Sequence, residues 1–190
     1  MSAGDCTTPA VSTGVVADIL LLNCGLHDIK CMVPEPGAAA AASASAAAAA
    51  AEDSATASAA GSGDGQTPVV SLKAYTENLR RAMQVAQESL VTPGSGAVVW
   101  VKTTGVVDEV HNSKGMPWNR HAANVAAYNA AADAVCAELH VGCIDLHAFT
   151  AAKGAAVFRD HVHYTEEVEQ EQAAFIFEQL APFMQEAAHG

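Results

Sequence analysis

Four of the five consecutive residues Asp160-His-Val-His-Tyr164, near the carboxyl end of the chain, have side chains that could move a proton. Asp160 and His163 are three residues apart in a predicted loop, close enough for the carboxylate to accept the imidazole Nδ1–H. That contact fixes the ring tautomer and stabilises the imidazolium formed when Nε2 takes a proton. The spacing therefore indicates a general base with an orienting acid. Two alternatives remain open: Asp160 and His163 cap the next helix, or His161 and His163 form a His-x-His metal pair.

A second polar cluster, Asn23–Asp28, follows a nearly unbroken apolar run that ends at Leu22. A run of this kind is typical of a central parallel strand that is buried on both faces. In open parallel α/β sheets, ligands bind just beyond the carboxyl ends of the strands. The cluster therefore lies where chemistry is expected, and Gly25 would let a backbone N–H approach a ligand closely. The alternative is a core strand with an ordinary polar exit loop.

The segments that must position these clusters alternate between strand and helix. Apolar runs predict strands at 15–22, 97–103 and 141–146. Apolar residues at helical spacing predict helices from Ser71, a plausible N-cap, to Pro93, and over 121–139 and 165–187, with a short helical segment near 147–153. Residues 1–14 and 104–120 are predicted to be loops. The alternation favours an α/β fold, with a parallel sheet, right-handed crossovers and helices on both faces.

The length of 190 residues is that of one domain, interrupted by a biased tract. From residue 34 to residue 68 the composition collapses to Ala, Ser and Gly, and no apolar spacing could dock this tract onto a core. We predict a disordered insertion at 34–68 that separates a first part of the domain, 1–33, from the remainder, 69–187.

The charge balance excludes several classes of partner. The formal net charge is −12, so nucleic acid and anionic membrane surfaces would repel the chain. No segment approaches the ~20 apolar residues needed to span a bilayer, and the first fourteen residues lack the features of a signal peptide. We expect a soluble protein that binds neither nucleic acid nor membrane; its localisation is left open.

The cysteines do not form a recognisable framework. Five of them, at 6, 24, 31, 136 and 143, make an odd count without a spacing pattern, so they are predicted to be reduced and mostly buried thiols. Cys24 and Cys31 with His27 lack the spacing of a metal site. No metal and no cofactor is expected.

Several short strings, taken in order, resemble the SGNH (GDSL-type) hydrolases. They are ADILLLNCGLHDIK at 17–30, Y..NL at 75–79, VVWVKTT at 98–104, YN..A at 128–132, IDLHAF at 144–149 and DHVHYT at 160–165. They look most like the branch that carries Gly-Leu-His-Asp where most members carry Gly-x-Asn-Asp. The resemblance covers about 15–33 and 69–186. It implies a flavodoxin-like three-layer parallel sheet and a serine esterase mechanism acting on a small-molecule acyl ester.

The resemblance also implies roles for individual residues. His163 matches the family's base and Asp160 its orienting acid. Gly25 matches the glycine whose N–H enters the oxyanion hole. His27 stands where most members have an Asn donor, and a neutral imidazole can also donate one N–H.

The sequence departs from the family at the nucleophile. The family's serine belongs to a Gly-Asp-Ser motif after the first strand, and this sequence has no Gly-Asp-Ser. Gly4-Asp5-Cys6 is the nearest equivalent, but too few residues separate Cys6 from Val15 for a crossover, which takes a dozen or more. We therefore expect residues 1–14 to match the loop before the family's third strand, with the two amino-terminal strands and the serine missing.

Three hypotheses follow. The first is an ester hydrolase whose serine segment is missing from this chain. The second is a degenerate, non-catalytic SGNH-like domain that binds a ligand or a partner. The third is a structural or metal-binding role through His161 and His163. With its first strands missing, the strand at 15–22 would also leave an open edge through which the chain could associate with itself.

Overall fold

The computed structural model describes residues 16–33 and 67–187. The strands are β1 (Ile19–Leu22), β2 (Cys31–Met32), β3 (Ala97–Val101), β4 (Trp118–Asn119) and β5 (Gly142–Ile144). The α-helices are α1 (Leu72–Ser89), α2 (Asp108–Asn112), α3 (Ala122–Leu139), α4 (Leu146–Ala151) and α5 (Glu166–Ala187), with a 3-10 turn at Ala155–Val157. The Gly4-Asp5-Cys6 triplet lies outside the described residues, as does the predicted insertion except for Thr67 and Pro68.

The main sheet is parallel and has the strand order β1-β3-β5. Leu22 of β1 pairs with Trp100 of β3, and Val101 of β3 pairs with Ile144 of β5. The carboxyl ends of all three strands therefore meet at one edge of the sheet. The parallel sheet predicted from the alternation of strand and helix is confirmed.

The side chains of β3 alternate between two apolar layers. Val98 and Trp100 belong to a cluster built with α1 and α3, whereas Val99 and Val101 belong to a cluster built with α4 and α5. This alternation follows from the period of two along a strand. The sheet is thus covered by helices on both faces, and the predicted three-layer α/β architecture is confirmed.

Helix α1 shows how the sequence produces this packing. The Ser71 side chain accepts a hydrogen bond from Ala74 N at 3.2 Å, which satisfies one of the free amides at the helix start, so the predicted N-cap is confirmed. Its buried residues recur at spacings of three and four, and form one stripe against the sheet and α3: Tyr75, Leu79, Met83 and Ala86.

The prediction of a continuous loop over 104–120 is wrong. This stretch contains the short helix α2 and strand β4, which pairs antiparallel with β2. Lys30 Nζ lies 4.4 Å from the centre of the Trp118 ring, which adds a cation–π contact beside the pairing. A two-residue strand and a helix of little more than one turn are too short to show a hydrophobic period, so the sequence pattern could not indicate them.

Strand β1 forms one side of the main sheet. Among the described residues it pairs only with β3, and Leu21 is 41% exposed. A groove of about 440 Å³ between β1 and α1 is lined by Leu22, Asn78, Arg81, Ala82, Val85, Ala86 and Leu90. The strand is also shorter than predicted, since only Ala17 continues it, through an isolated bridge to Val91.

The four described cysteines are free thiols, as predicted, but only Cys31 and Cys136 are buried, whereas Cys24 and Cys143 are exposed. Among the described helices, none combines the length and the apolar composition that crossing a bilayer requires.

Candidate active site

The Asp160–His163 contact expected from their spacing is present. The loop between the 3-10 turn and α5 brings Asp160 Oδ2 to 2.7 Å from His163 Nδ1. The His163 side chain is 61% exposed, and its Nε2 makes no hydrogen bond with a described residue. A ring held at Nδ1 by a carboxylate and open at Nε2 has the arrangement of a general base.

Asp160 is fixed at both oxygens. Its Oδ1 accepts the backbone N–H groups of Val162 and His163, each at 2.8 Å, while Oδ2 holds the imidazole. These two amide hydrogen bonds, followed by the contact with the ring, hold the pKa of Asp160 well below its usual range. The carboxylate therefore stabilises its own loop and does not bind the first amides of α5, so it is not a cap of that helix.

The His161 ring contacts both Asp160 and His111. Its Nδ1 lies 3.9 Å from Asp160 Oδ1, and its ring packs at 4.8 Å on the ring of His111, with 50° between the planes. Within the described ranges, no three His, Cys, Asp or Glu side chains converge as ligands for a metal ion. Because its ring packs on another imidazole, His161 has a packing role between the loop and α2.

The loop that contains Asp160 and His163 packs on His111 through the His161 ring. His111 lies in α2, its side chain is fully buried, and neither ring nitrogen has a hydrogen-bond partner among the described residues. Burial lowers the pKa of His111 to about 4, and the charges of the nearby Arg120 and His161 act in the same direction, whereas a contact with the His161 backbone and the charge of Asp108 oppose them. The folded chain therefore holds the His111 ring in its neutral form.

The loop after β1 carries the second cluster. Gly25 is buried and has φ 127°, a conformation that side chains rarely adopt, and its carbonyl accepts Asp28 N at 3.0 Å and Ile29 N at 3.1 Å. No described residue accepts the Gly25 N–H. A tight turn of this kind leaves one backbone donor available at the carboxyl edge of the sheet.

Thr103, just beyond β3, joins three segments at this edge. Its Oγ1 donates to Cys24 O at 2.7 Å, and its backbone forms a reciprocal pair with the Asn129 side chain, with N to Oδ1 at 3.0 Å and Nδ2 to O at 2.8 Å. The same carbonyl lies 3.1 Å from His147 Nδ1. The turn at Gly25 is therefore held from the centre of the sheet.

Arg120 connects the two loops. Its Nε donates to Leu26 O at 2.7 Å, directly beside Gly25, and its own charge lies close enough to His111 to disfavour the imidazolium. Leu26 and Val162 also pack against the same apolar cluster. A chain of contacts thus runs from the Asp160–His163 loop through His111 and Arg120 to the loop after β1.

The structure does not join all four predicted site residues directly. No hydrogen bond links His163 to Gly25 or His27 among the residues that are described, and the exposed His27 side chain has no partner there. Asp160 and His163 form one unit, and Gly25 and His27 form another at the same sheet edge. Their catalytic roles stay predictions.

Cys24, which directly precedes Gly25 in the loop after β1, is not a ready nucleophile. The Tyr75 hydroxyl donates to its sulfur, but desolvation within the loop, together with the negative charge of Asp28, raises the pKa of the Cys24 thiol. The reactive form of cysteine is the thiolate, so the raised pKa makes Cys24 a poor candidate for a nucleophile.

Sequence reasoning missed the supporting residues, namely Thr103, His111, Arg120 and Asn129. Thr103 had one available signal, since it is the polar residue that immediately follows a buried strand. Arg120 and His111 gave none, because a buried charge and a buried imidazole in a predicted loop are indistinguishable from exposed ones until the contacts are known.

No family model matches the sequence, and no curated protein matches it. One solved structure that is similar is the lipase/acylhydrolase from Enterococcus faecalis, with a TM-score of 0.48 and 18% sequence identity, over 64% of this chain and 55% of that one. The chain therefore spans about half the length of that protein. The likeness is one of fold.

Proposed function

We propose that the chain carries the base and oxyanion side of an ester hydrolase site. His163 is the general base, Asp160 orients it, and the Gly25 N–H with the His27 ring donates to the oxyanion. The observation that carries this proposal is the 2.7 Å contact of Asp160 Oδ2 with His163 Nδ1, made by a carboxylate whose other oxygen holds two loop amides. The substrate class is a small acyl ester.

In the proposed reaction, a serine hydroxyl attacks the ester carbonyl while His163 Nε2 takes its proton. Asp160 stabilises the resulting imidazolium, and the Gly25 N–H donates to the carbonyl oxygen as it becomes negative. The imidazolium then protonates the departing alcohol, and water hydrolyses the acyl-enzyme by the same route. The 190 residues contain no Gly-Asp-Ser motif, so this proposal requires a serine that they do not supply.

The test compares the product of the complete natural reading frame with the 190-residue chain, using p-nitrophenyl acetate as the substrate. For the longer protein, His163→Ala should lower kcat/KM by about 10³-fold or more, because an unactivated serine is a weak nucleophile. For the 190-residue chain, the wild type should be no faster than His163→Ala. His140→Asn is the control, because His140 is exposed and lies at the end of α3, beyond the opposite edge of the sheet.

Two outcomes would contradict the proposal. A reading frame without such a serine, whose product shows no His163-dependent rate, would favour the second hypothesis, a non-catalytic domain that binds a ligand or a partner. A His163-dependent rate in the 190-residue chain that Cys6→Ala abolishes would instead assign the nucleophile to Cys6.

A further inference from the structure

Arg120 is a buried cation at the carboxyl edge of the main sheet. Only 5% of its surface is exposed, and it follows directly after β4. The Asn112 side chain holds its backbone on both sides, because Asn112 Oδ1 accepts Arg120 N at 3.0 Å and Asn112 Nδ2 donates to Arg120 O at 3.1 Å. The position of the arginine is therefore set by the fold between α2 and α3.

The guanidinium is held at Nε and open at its two terminal nitrogens. Nε donates to Leu26 O at 2.7 Å, and none of the hydrogen bonds or ion pairs of the described residues uses an Nη atom of Arg120. The Nη atoms are also not among the sealed polar atoms that lack a partner, so they keep access to solvent. Their N–H groups form a planar fork that a ligand could reach.

The groups around Arg120 do not neutralise its charge. No Asp or Glu in the described part of the chain forms an ion pair with it, and burial lowers the pKa of the guanidinium. The carboxylate of Asp108, an acid whose charge acts on His111, is engaged by His121 Nδ1 at 3.2 Å and by Ala122 N at 2.8 Å. Because His111 is a neutral ring, it supplies no counter-charge either.

An uncompensated cation in a buried position calls for an anion. Burying a charge without a partner is costly, and this cation stands in a chain whose formal net charge is −12. A carboxylate matches the guanidinium geometry, since it accepts two parallel hydrogen bonds from the fork. The bond from Nε to Leu26 O places the fork beside the turn at Gly25.

We propose that the Nη atoms of Arg120 bind a small carboxylate anion beside the turn at Gly25. This inference rests on the proposed function, because hydrolysis of an ester leaves a carboxylic acid at this edge of the sheet, and that acid is ionised at neutral pH. The anion is held by an ion pair and by hydrogen bonds, and no covalent bond is made or broken. Arg120 is thus a binding residue for the acid product.

The experiment titrates the 15N-labelled 190-residue chain with sodium acetate at pH 7, while sodium chloride is withdrawn to hold the ionic strength constant. We expect saturable shifts of the Leu26 and His27 amides and of the Arg120 Nε–H resonance, with a dissociation constant of about 1 mM. Arg120→Gln should weaken binding by about 10-fold or more, because it removes the charge and the fork. Arg81→Gln removes the same charge at an exposed position of α1 and should leave binding unchanged.

A wild-type titration without saturable shifts at these three groups would overturn the proposal, as would equal binding by Arg120→Gln. Phosphate that binds more tightly than acetate would overturn the carboxylate class. The mapping uses the wild-type chain, so its result does not depend on whether a variant folds. It involves neither His163 nor a serine, so its failure is distinct from failure of the hydrolase test, which measures kcat/KM.

Discussion

At the scale of single residues, the loop 160–163 is organised by one carboxylate. Asp160 accepts from two amides and from an imidazole at once, and these hydrogen bonds are strongest while it is ionised. The tautomer of His163 therefore depends on a neighbour that the backbone of the same loop has already fixed. Sequence spacing alone predicted the pair; it could not predict the two amides, because they depend on the local turn.

The first prediction concerns the charge of Asp160. Its folded pKa is depressed below the ordinary value of about 3.9, so the stability it contributes is present above pH ~4 and is lost as the pH falls below it. The difference in unfolding free energy between the wild type and Asp160→Asn should shrink as the pH falls below about 4. Urea titrations at several pH values measure it. A difference that does not change with pH would contradict the depressed pKa.

The second prediction concerns His111. Its folded pKa of about 4 lies below the ordinary value of 6.5, so the unfolded chain takes up a proton that the folded chain resists. The free energy of unfolding should fall between pH 6.5 and pH 4, by up to about 3 kcal/mol. His111→Phe should remove this fall, and at pH 7 it should cost little, because the ring nitrogens lose no hydrogen bond with the described residues.

The matched control for this second prediction is His27→Phe, which changes an exposed imidazole in another loop. It should retain the acid dependence of the wild type. Equal acid dependence in His111→Phe and the wild type would show that the pKa of His111 is the same in the folded and the unfolded chain, and would contradict this prediction.

At the scale of elements, the turn after β1 leaves little room for a Cβ atom at Gly25. A Cβ added at Gly25 would lie 3.1 Å from Thr103 Oγ1 and 3.4 Å from the Tyr75 hydroxyl, and φ is 127°. The third prediction is that Gly25→Ala destabilises the fold by about 1–3 kcal/mol, through backbone strain and displacement of Thr103. Gly105→Ala, whose nearest neighbour would be 3.7 Å away, should be nearly neutral in the same denaturation measurement.

An effect of Gly25→Ala no larger than that of Gly105→Ala would mean that the turn relaxes freely. Such a turn could not hold the Gly25 N–H in a fixed direction, and the proposed oxyanion donor would have to be sought elsewhere.

The elements also show what the sequence could and could not predict. The parallel sheet and its covering helices could be predicted from the apolar runs 97–103 and 141–146 and from the helical period of α1. A strand that is buried on both faces has a continuous apolar sequence, and such a sequence is easy to recognise. Strand β4 and helix α2 were missed because they are too short to show a hydrophobic period. Their contacts come from Cys31 and from the Arg120 backbone, which pairs with the Asn112 side chain.

At the scale of the whole molecule, the described fold is asymmetric about its sheet. The β1 side shows an apolar groove and the exposed side chains of Leu21 and Val85. An unpaired strand edge beside an apolar surface templates association unless it is covered or charged. We predict that the self-association expected from the sequence uses this surface, which the described residues leave open.

The fourth prediction is that the 190-residue chain associates in a concentration-dependent way, and that Val85→Lys reduces this association by placing a charge in the groove. Val110→Lys, a change of the same size at an exposed position in α2, should not reduce it. Sedimentation velocity over a range of concentrations compares the three proteins. A wild-type chain that stays monomeric throughout, with slow hydrogen exchange at Leu20 and Leu22, would show that the edge is covered.

The chain is fixed by backbone contacts on both sides of residues 34–66, and this affects how many residues can connect the two fixed points. Val33 N donates to Pro117 O at 3.1 Å, Pro68 bridges Cys31, and Val69 N donates to Lys30 O at 2.8 Å, so the points of departure and return are fixed beside each other. Once two ends are fixed, each doubling of the chain between them costs only about 0.6 kcal/mol in closure entropy. Residues can therefore be added or removed between these two points with little loss of stability. The connection is thus a suitable insertion site for an affinity tag or a fluorescent reporter.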